Sequence, residues 1–306
     1  MSARARPENG RPLPPKRRPA RKIAGIQQMN PVLNVAVKAA RRAGKTILRY
    51  MDRLDRVSVE KKGRNDFVSE VDRMAEADIV ETIHARYPNH GIIAEERGGE
   101  LSGDSDHREF EWIIDPLDGT INYLHGHPQF AVSIAARQNG RLQHAVVFDP
   151  LRDEMYTASR GQGAQLNNRR IRVTRQNKLA RSLLATGFPY KHRADFEPWM
   201  RSFETLLPRV TDLRRCGSAA LDLAYVACGR LDGYWEPGLE AWDVAAGSLL
   251  VREAGGLVAD FQGTQNFLET GHIIAANRML FNELMLIVRT AADAPHPSRR
   301  PLSLPA

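Results

Sequence analysis

Asp115 and Asp118 stand between an apolar run and a Gly-Thr pair in Trp112-Ile113-Ile114-Asp115-Pro116-Leu117-Asp118-Gly119-Thr120-Ile121-Asn122-Tyr123. An apolar strand holds carboxylates rigidly, and a helix that starts after it presents N–H groups lacking intrahelical partners. Carboxylates ligate hard cations and backbone N–H groups receive anions, so this spacing fits metal-assisted phosphate chemistry. The same Asp-Pro-x-Asp-Gly string is also good turn chemistry, because Pro sets φ, Asp caps and Gly accepts positive φ. Residues elsewhere in the chain must decide.

Three further segments place acids beside rigid elements. Asp72 closes Asp66-Phe67-Val68-Ser69-Glu70-Val71-Asp72, Glu95-Glu96 follow Ile92-Ile93-Ala94, and Asp243 lies in Trp242-Asp243-Val244-Ala245-Ala246-Gly247. Taken singly, each has a plain reading as a helix-terminal, capping or strand-end acid. Gathered together, they would repel one another without a counter-charge. Divalent cations relieve that repulsion, and all-oxygen ligation favours Mg²⁺, with Mn²⁺ as an alternative, over Zn²⁺.

Covalent routes find less support. No Gly-x-Ser-x-Gly string occurs, and the two cysteines, Cys216 and Cys228, form no CxxC pair. They read as reduced packing residues of a cytoplasmic protein. Gly161-x-Gly163 lacks the third glycine of a dinucleotide fingerprint, and His125 and His127 read as surface or core-edge histidines.

These groups need elements to hold them. Asn30 caps a helix with Pro31 at its first position, and Val32 to Leu48 keep helical spacing. A second helix is predicted over about 70–87, ended by Pro88, with Val71, Met74, Ala75, Ile79, Val80 and Ile83 inward. Strands are predicted at 92–94 and 110–114, and at 130–137 and 144–148 around the Asn139-Gly140 hairpin turn. Two more follow at 155–158 and at 171–173, the latter after an Asn167-Asn168 turn. The second half alternates: strands at 182–185, near 210, at 232–235, 257–260 and 273–275, and helices at 196–207, 218–228, 241–254 and 278–289. Hairpins followed by alternation predict stacked helix and sheet layers, an α+β architecture.

The 306 residues are 42% hydrophobic, enough for a substantial core, and no run of about 18 apolar residues is present to span a membrane. Net charge is +8, but residues 1–28 hold eight Lys/Arg against Glu8, which leaves +1 for residues 29–306. A near-neutral body argues against direct nucleic-acid binding by the folded part. Residues 1–28 read as a disordered basic tail, or as a leader ahead of a start at Met29. Residues 29–290 read as one domain with halves at about 29–175 and 176–290, and 291–306 as a flexible tail.

The motifs together resemble the inositol monophosphatase family of Mg²⁺-dependent, lithium-sensitive phosphatases, especially its bacterial inositol-1-monophosphatases, over residues 30–288. The matching pieces are 65–72, 92–96, 112–123, 161–164, Gly217-Ser218-Ala219-Ala220-Leu221-Asp222, 242–247 and Glu253-Ala254-Gly255-Gly256. The resemblance implies a layered αβαβα sandwich, the sugar-phosphatase fold, commonly as a homodimer. It implies that Glu95, Asp115 and the Leu117 carbonyl bind an activating Mg²⁺, and that Asp115, Asp118 and Asp243 bind a second. A third, weaker ion would lie near Glu95. By the same resemblance Asp72 and Thr120 orient the attacking water, Gly119 and Thr120 offer N–H groups to phosphate, and Asp118, Ala219 and Glu236 hold inositol hydroxyls. The implied reaction is hydrolysis of myo-inositol 1-phosphate or similar polyol monophosphates. Nucleotide 3′-phosphatases and fructose-1,6-bisphosphatases share the fold. Bacterial members imply a non-enzymatic alternative, a place in a ribosomal-RNA antitermination complex with RNA polymerase and elongation factors. Two departures stand out: Ile121 replaces a Thr, and Arg97 follows the Glu pair where Ser is common, adding positive charge near the metal site.

Overall fold

Asn30 accepts a hydrogen bond from the Val32 amide at 2.8 Å and Pro31 takes the first helical position, so α1 (Pro31–Met51) starts where cap and ring geometry place it. The computed structural model describes residues 30–54, 58–63, 66–100, 109–190 and 193–293. The predicted basic tail, 1–28, and residues 294–306 lie outside the described residues.

After α1 come the antiparallel pair β1 (Val59–Gly63) and β2 (Asp66–Ser69), then α2 (Glu70–His84), β3 (Gly91–Ala94), β4 (Gly99–Glu100), β5 (Phe110–Asp118) and the short α3 (Thr120–Leu124). An antiparallel meander follows: β6 (Ala131–Gln138), β7 (Arg141–Asp149), β8 (Glu154–Ser159), β9 (Gly163–Leu166) and β10 (Arg169–Arg170). The rest comprises β11 (Leu183–Thr186), α4 (Phe196–Leu206), β12 (Asp212–Arg214), α5 (Ala219–Cys228), β13 (Gly233–Glu236), α6 (Ala241–Glu253), β14 (Leu257–Ala259), α7 (Phe267–Thr270), β15 (Ile273–Ala276) and α8 (Phe281–Asp293).

Among the described residues one sheet runs β10-β9-β8-β7-β6-β5-β3-β4 and another β12-β11-β13-β15-β14. Alternation along β5 sends Trp112 and Ile114 toward α1 and α2, and Ile113 toward α5 and α6. The second sheet gives Ala185, Tyr234 and Ala275 to that same α5–α6 core, and Leu184, Trp235 and Ile274 to a third core with α4 and α8. The result is five layers, helix pair, sheet, helix pair, sheet, helix pair: the αβαβα sandwich expected from the resemblance. No helix among the described residues is long and apolar enough to cross a membrane.

Several element boundaries differ from the sequence expectation. The second helix ends at His84 rather than 87, with Ala85 as its cap. The last helix runs 281–293 instead of 278–289, because the Asn277 side chain accepts the Met279 and Leu280 amides and delays its start. The strand expected at 171–173 lies at 169–170. The Asn167-Asn168 turn forms with positive φ at both residues, but Val173 already donates to the Ala254 carbonyl and has left the sheet. The β1–β2 pair had no alternating apolar pattern to announce it.

Candidate active site

β5 ends in a bulge, and the bulge makes the site. Asp115 pairs with Ser133 of β6, yet Asp118 pairs with Ala131, so three steps on one strand meet two on the other. In a regular strand, residues three apart point to opposite faces; the extra residue around Pro116 returns Asp118 to the face of Asp115. That face looks onto the starts of α5 and α6. Carboxylate oxygens of Asp115, Asp118 and Asp243, the last from the first turn of α6, all lie within 4.8 Å of one another.

These acids also do the turn and capping work that their local sequence suggests. Asp115 accepts the Leu117 amide at 2.9 Å, an Asx turn. Asp118 accepts the Ser218 hydroxyl at 2.6 Å and the Ala220 amide at 2.7 Å, binding the end of β5 to the start of α5. Asp243 accepts the Glu240 amide at 2.8 Å within its own helix cap. Each carboxylate is therefore oriented by its framework, which fixes the geometry that a ligand must meet.

Crowding has an electrostatic cost. Burial, then the charges of Glu95, Asp118 and Asp243, push the Asp115 carboxyl well above the usual carboxylate range. Burial and the Asp243 charge push Asp118 up to about 7, against the hydrogen bonds from Ser218 and Ala220. No Lys or Arg forms an ion pair with Asp115 or Asp118 among the described residues. Like charges so placed fit a divalent cation, and their oxygen-only donor set suits a hard one.

Around this cluster stand the other expected residues. The Thr120 hydroxyl donates to Asp72 at 2.9 Å and contacts the Leu117 carbonyl at 3.2 Å. Asp72 is fully buried, the capping-box acid of α2, and takes the Ser69 amide at 2.9 Å on its other oxygen. Burial raises its pKa while the Ser69 and Thr120 hydrogen bonds oppose the rise. Glu95 begins the turn after β3 and lies outside the three-acid cluster, although its charge acts on Asp115. Gly119, at φ 98°, makes the sharp turn into α3. Because α3 has only five residues, any anion there would meet local N–H groups rather than a long helix dipole.

Across the mouth, Glu236 ends β13 and receives the Tyr234 hydroxyl. Burial raises Glu236 to about 8, opposed by the Tyr234 hydrogen bond and reinforced by Asp243. Ala219, the first residue of α5, sits beside Asp118.

Some expected features changed meaning. Arg97 does not stand as an added charge over the metal cluster. Its Nε pairs at 3.2 Å with Glu76, a buried residue one turn beyond Asp72 on α2, and Glu76 also accepts the Glu96 amide at 2.8 Å. The i, i+4 spacing from Asp72 was the only sequence signal for Glu76. Asp222, one turn beyond Ser218, is likewise buried, and its charge helps burial push the Cys216 thiol up to about 11, no setting for a nucleophile. The Gly161 and Gly163 amides both grip the Glu253 carboxylate at 2.8 Å, so that Gly-x-Gly ties the β8–β9 turn to α6. His125 and His127 are exposed and belong to no acid cluster among the described residues. Ile121 is exposed on α3.

Comparison with known proteins gives the family of the chain. The sequence profile of the inositol monophosphatase family matches residues 28–293. A Nus factor SuhB of Pseudomonas aeruginosa is 51% identical over 263 residues, covering 85% of this chain and 97% of the relative. The Nus factor SuhB of Escherichia coli K12 is 50% identical over 261 residues, with 85% and 97% covered. Among solved structures, the extragenic suppressor protein suhB of Bartonella henselae superimposes with a TM-score of 0.81 at 41% identity, covering 85% of this chain and 99% of that one. An inositol monophosphatase of Anabaena (Nostoc) gives 0.74 at 40% identity, with 84% and 94% covered.

Proposed function

The chain belongs to the inositol monophosphatase family, and from that premise we propose that it is a divalent-cation-dependent phosphomonoesterase acting on myo-inositol 1-phosphate and similar polyol monophosphates. The observation that carries this reading is the approach of Asp115, Asp118 and Asp243 to within 4.8 Å, with Asp115 and Asp118 lacking any Lys or Arg partner among the described residues. Two divalent cations, Mg²⁺ in preference to Mn²⁺, supply Lewis acidity toward the ester phosphate when bound there. Glu95, Asp115 and the Leu117 carbonyl would hold one, and Asp115, Asp118 and Asp243 the other, with a third near Glu95.

The chain's own groups divide the remaining work. Asp72 is covered by protein and acts through Thr120: by accepting the hydroxyl proton it leaves the Thr120 oxygen to receive a proton from the attacking water. The Gly119 and Thr120 amides steady charge on the phosphate oxygens. Asp118, the Ala219 backbone and Glu236 orient the polyol so that the ester oxygen departs opposite the incoming water. Phosphate release from inositol 1-phosphate tests the reading. Turnover with Mg²⁺ and its loss on chelation are expected; no Mg²⁺-dependent release from any polyol monophosphate would overturn it.

The names of the Pseudomonas and Escherichia relatives, Nus factors, support a second reading, association with a transcription complex. Pull-down with Asp118→Asn tests it. Recovery of RNA polymerase would separate partner binding from catalysis, and none recovered would count against that role.

A further inference from the structure

The +1 net charge of residues 29–306 averages over an uneven chain, because residues 155–194 hold nine Lys/Arg and no Asp or Glu. Folding gathers part of that charge, with two arginines from elsewhere, around the C-terminal end of α6. Arg160 precedes Gly161, and the Gly161 and Gly163 amides each hold Glu253 of α6 at 2.8 Å. Arg170 of β10 lies against Gly163, where an added Cβ would fall 3.0 Å from an Arg170 Nη. Arg172 precedes Val173, whose amide donates to the Ala254 carbonyl at 3.2 Å, and Arg278 Nε donates to the Gly255 carbonyl at 3.1 Å. Arg252, in the last turn of α6, completes the group.

The partners of these arginines are neutral. Arg160 donates to the Leu142 carbonyl at 2.6 Å, Arg172 to the Ile171 carbonyl at 3.0 Å, and Arg252 to the Gln265 amide oxygen. No carboxylate forms an ion pair with any of the five among the described residues. Burial, then the Arg160 charge, lower the Arg252 pKa, as expected of cations crowded without counter-charge. Glu253 and the negative end of the α6 dipole supply about one and a half charges against five, so most of the positive charge is left over. Asp243 opens the same helix, which puts this face about 14 Å along its axis from the acid cluster. Four of the five arginines are exposed, and between Arg160 and Lys178 no large apolar side chain is exposed and no aromatic residue occurs. A protein partner would need an apolar centre, and base stacking would need a ring, whereas phosphate oxygens need only the guanidinium forks.

We propose that the arginine face at the C-terminal end of α6 binds the phosphate backbone of a nucleic-acid strand without regard to base sequence. The inference does not rest on the phosphomonoesterase reading and is tested by binding alone. A fluorescein-labelled 20-nucleotide RNA is titrated, by anisotropy, with the full chain and with Arg160→Gln/Arg170→Gln/Arg172→Gln. A control, Lys38→Gln/Lys45→Gln/Arg49→Gln, removes the same charge from the exposed face of α1. Residues 1–28 are identical in all three proteins, so their charge does not enter the difference. The arginine variant should bind about tenfold more weakly, and its slope of log K against log salt should flatten by about 2, the loss of three phosphate contacts. The α1 control should stay within about threefold of the unmutated chain, and an RNA of unrelated sequence should give the same result. Arg160→Lys/Arg170→Lys/Arg172→Lys, which keeps the charge, should restore the salt slope, and matching melting curves show that the variants are folded. A DNA strand of the same sequence separates the sources: equal binding assigns the phosphates alone, and weaker binding adds the ribose hydroxyl. Equal losses in the arginine and α1 variants, an unchanged salt slope, or no RNA bound by the unmutated chain overturns the site. Polyglutamate bound in place of RNA also overturns it, and makes the face one for an acidic protein.

Discussion

Two acid-bearing regions of the same sheet behave oppositely. At the end of β5, Asp115 and Asp118 are met by N–H and O–H donors and by other acids, and their pKa values rise. On β8, Glu154 accepts from both terminal guanidinium nitrogens of Arg230, at 2.5 and 2.6 Å, and from the Tyr156 hydroxyl at 2.7 Å, and its pKa falls, chiefly through the Arg230 hydrogen bond. The residue types are nearly the same. An acid cluster completed by arginine is finished architecture, whereas one completed by neutral donors still attracts a cation. Counter-charge, rather than acid content, separates site from scaffold.

The sharpest way to break that contrast is Asp118→Asn. It should lower kcat on inositol 1-phosphate on the order of a thousandfold, and remove most of the rise in Tm that Mg²⁺ gives the unmutated chain. Near-normal turnover would end the assignment of Asp118. Far-ultraviolet circular dichroism should stay unchanged, because the amide oxygen can still accept from Ser218 and Ala220.

Metal-free stability should respond to pH with opposite signs in the two regions. Between the ordinary carboxylate value and about 7, folded Asp118 binds more protons than the unfolded chain, so its contribution falls as pH rises through that window. Glu236 extends the fall to about 8. Glu154 contributes above its ordinary value and loses that contribution as pH falls through its lowered one. Melting in chelator should therefore show stability declining from about pH 5 to 8, a decline flattened by saturating Mg²⁺. A flat chelator profile would refute the picture of strained, uncompensated acids.

Arg230→Ala should cost about 1 kcal/mol in urea unfolding, a modest figure because the guanidinium is partly exposed, and leave turnover within about twofold. A large catalytic loss there would erase the distinction between the regions. Smallest should be Glu76→Gln, which keeps an acceptor for the Glu96 amide but loses the charge facing Arg97. An increase of about threefold in the Mg²⁺ concentration giving half-maximal activity, with KM for substrate held, would mark Glu76 as a positioning residue for the Glu95 segment. An equal change in both constants would make it merely structural.

Much of this was legible in the chain itself. Apolar periodicity and end signals placed α1, α5, α6, β5 and the β6–β7 hairpin, because caps, turns and alternation act within a few residues. Residue types suggested oxygen donors and argued against a nucleophile, the individual ligand roles came from the family resemblance, and the opposite fates of the two acid regions depended on partners far along the chain. Only the tertiary structure put Asp118 on the face of Asp115, since a bulge in strand register decides it. Only folding brought Ser218 to Asp118 across 100 residues and Thr120 to Asp72 across 48, buried Asp72 and Glu76, and drew Arg97 to Glu76. The physical reason is range: local propensity works along the backbone, while charge pairing and burial depend on which surfaces the packed layers bring together.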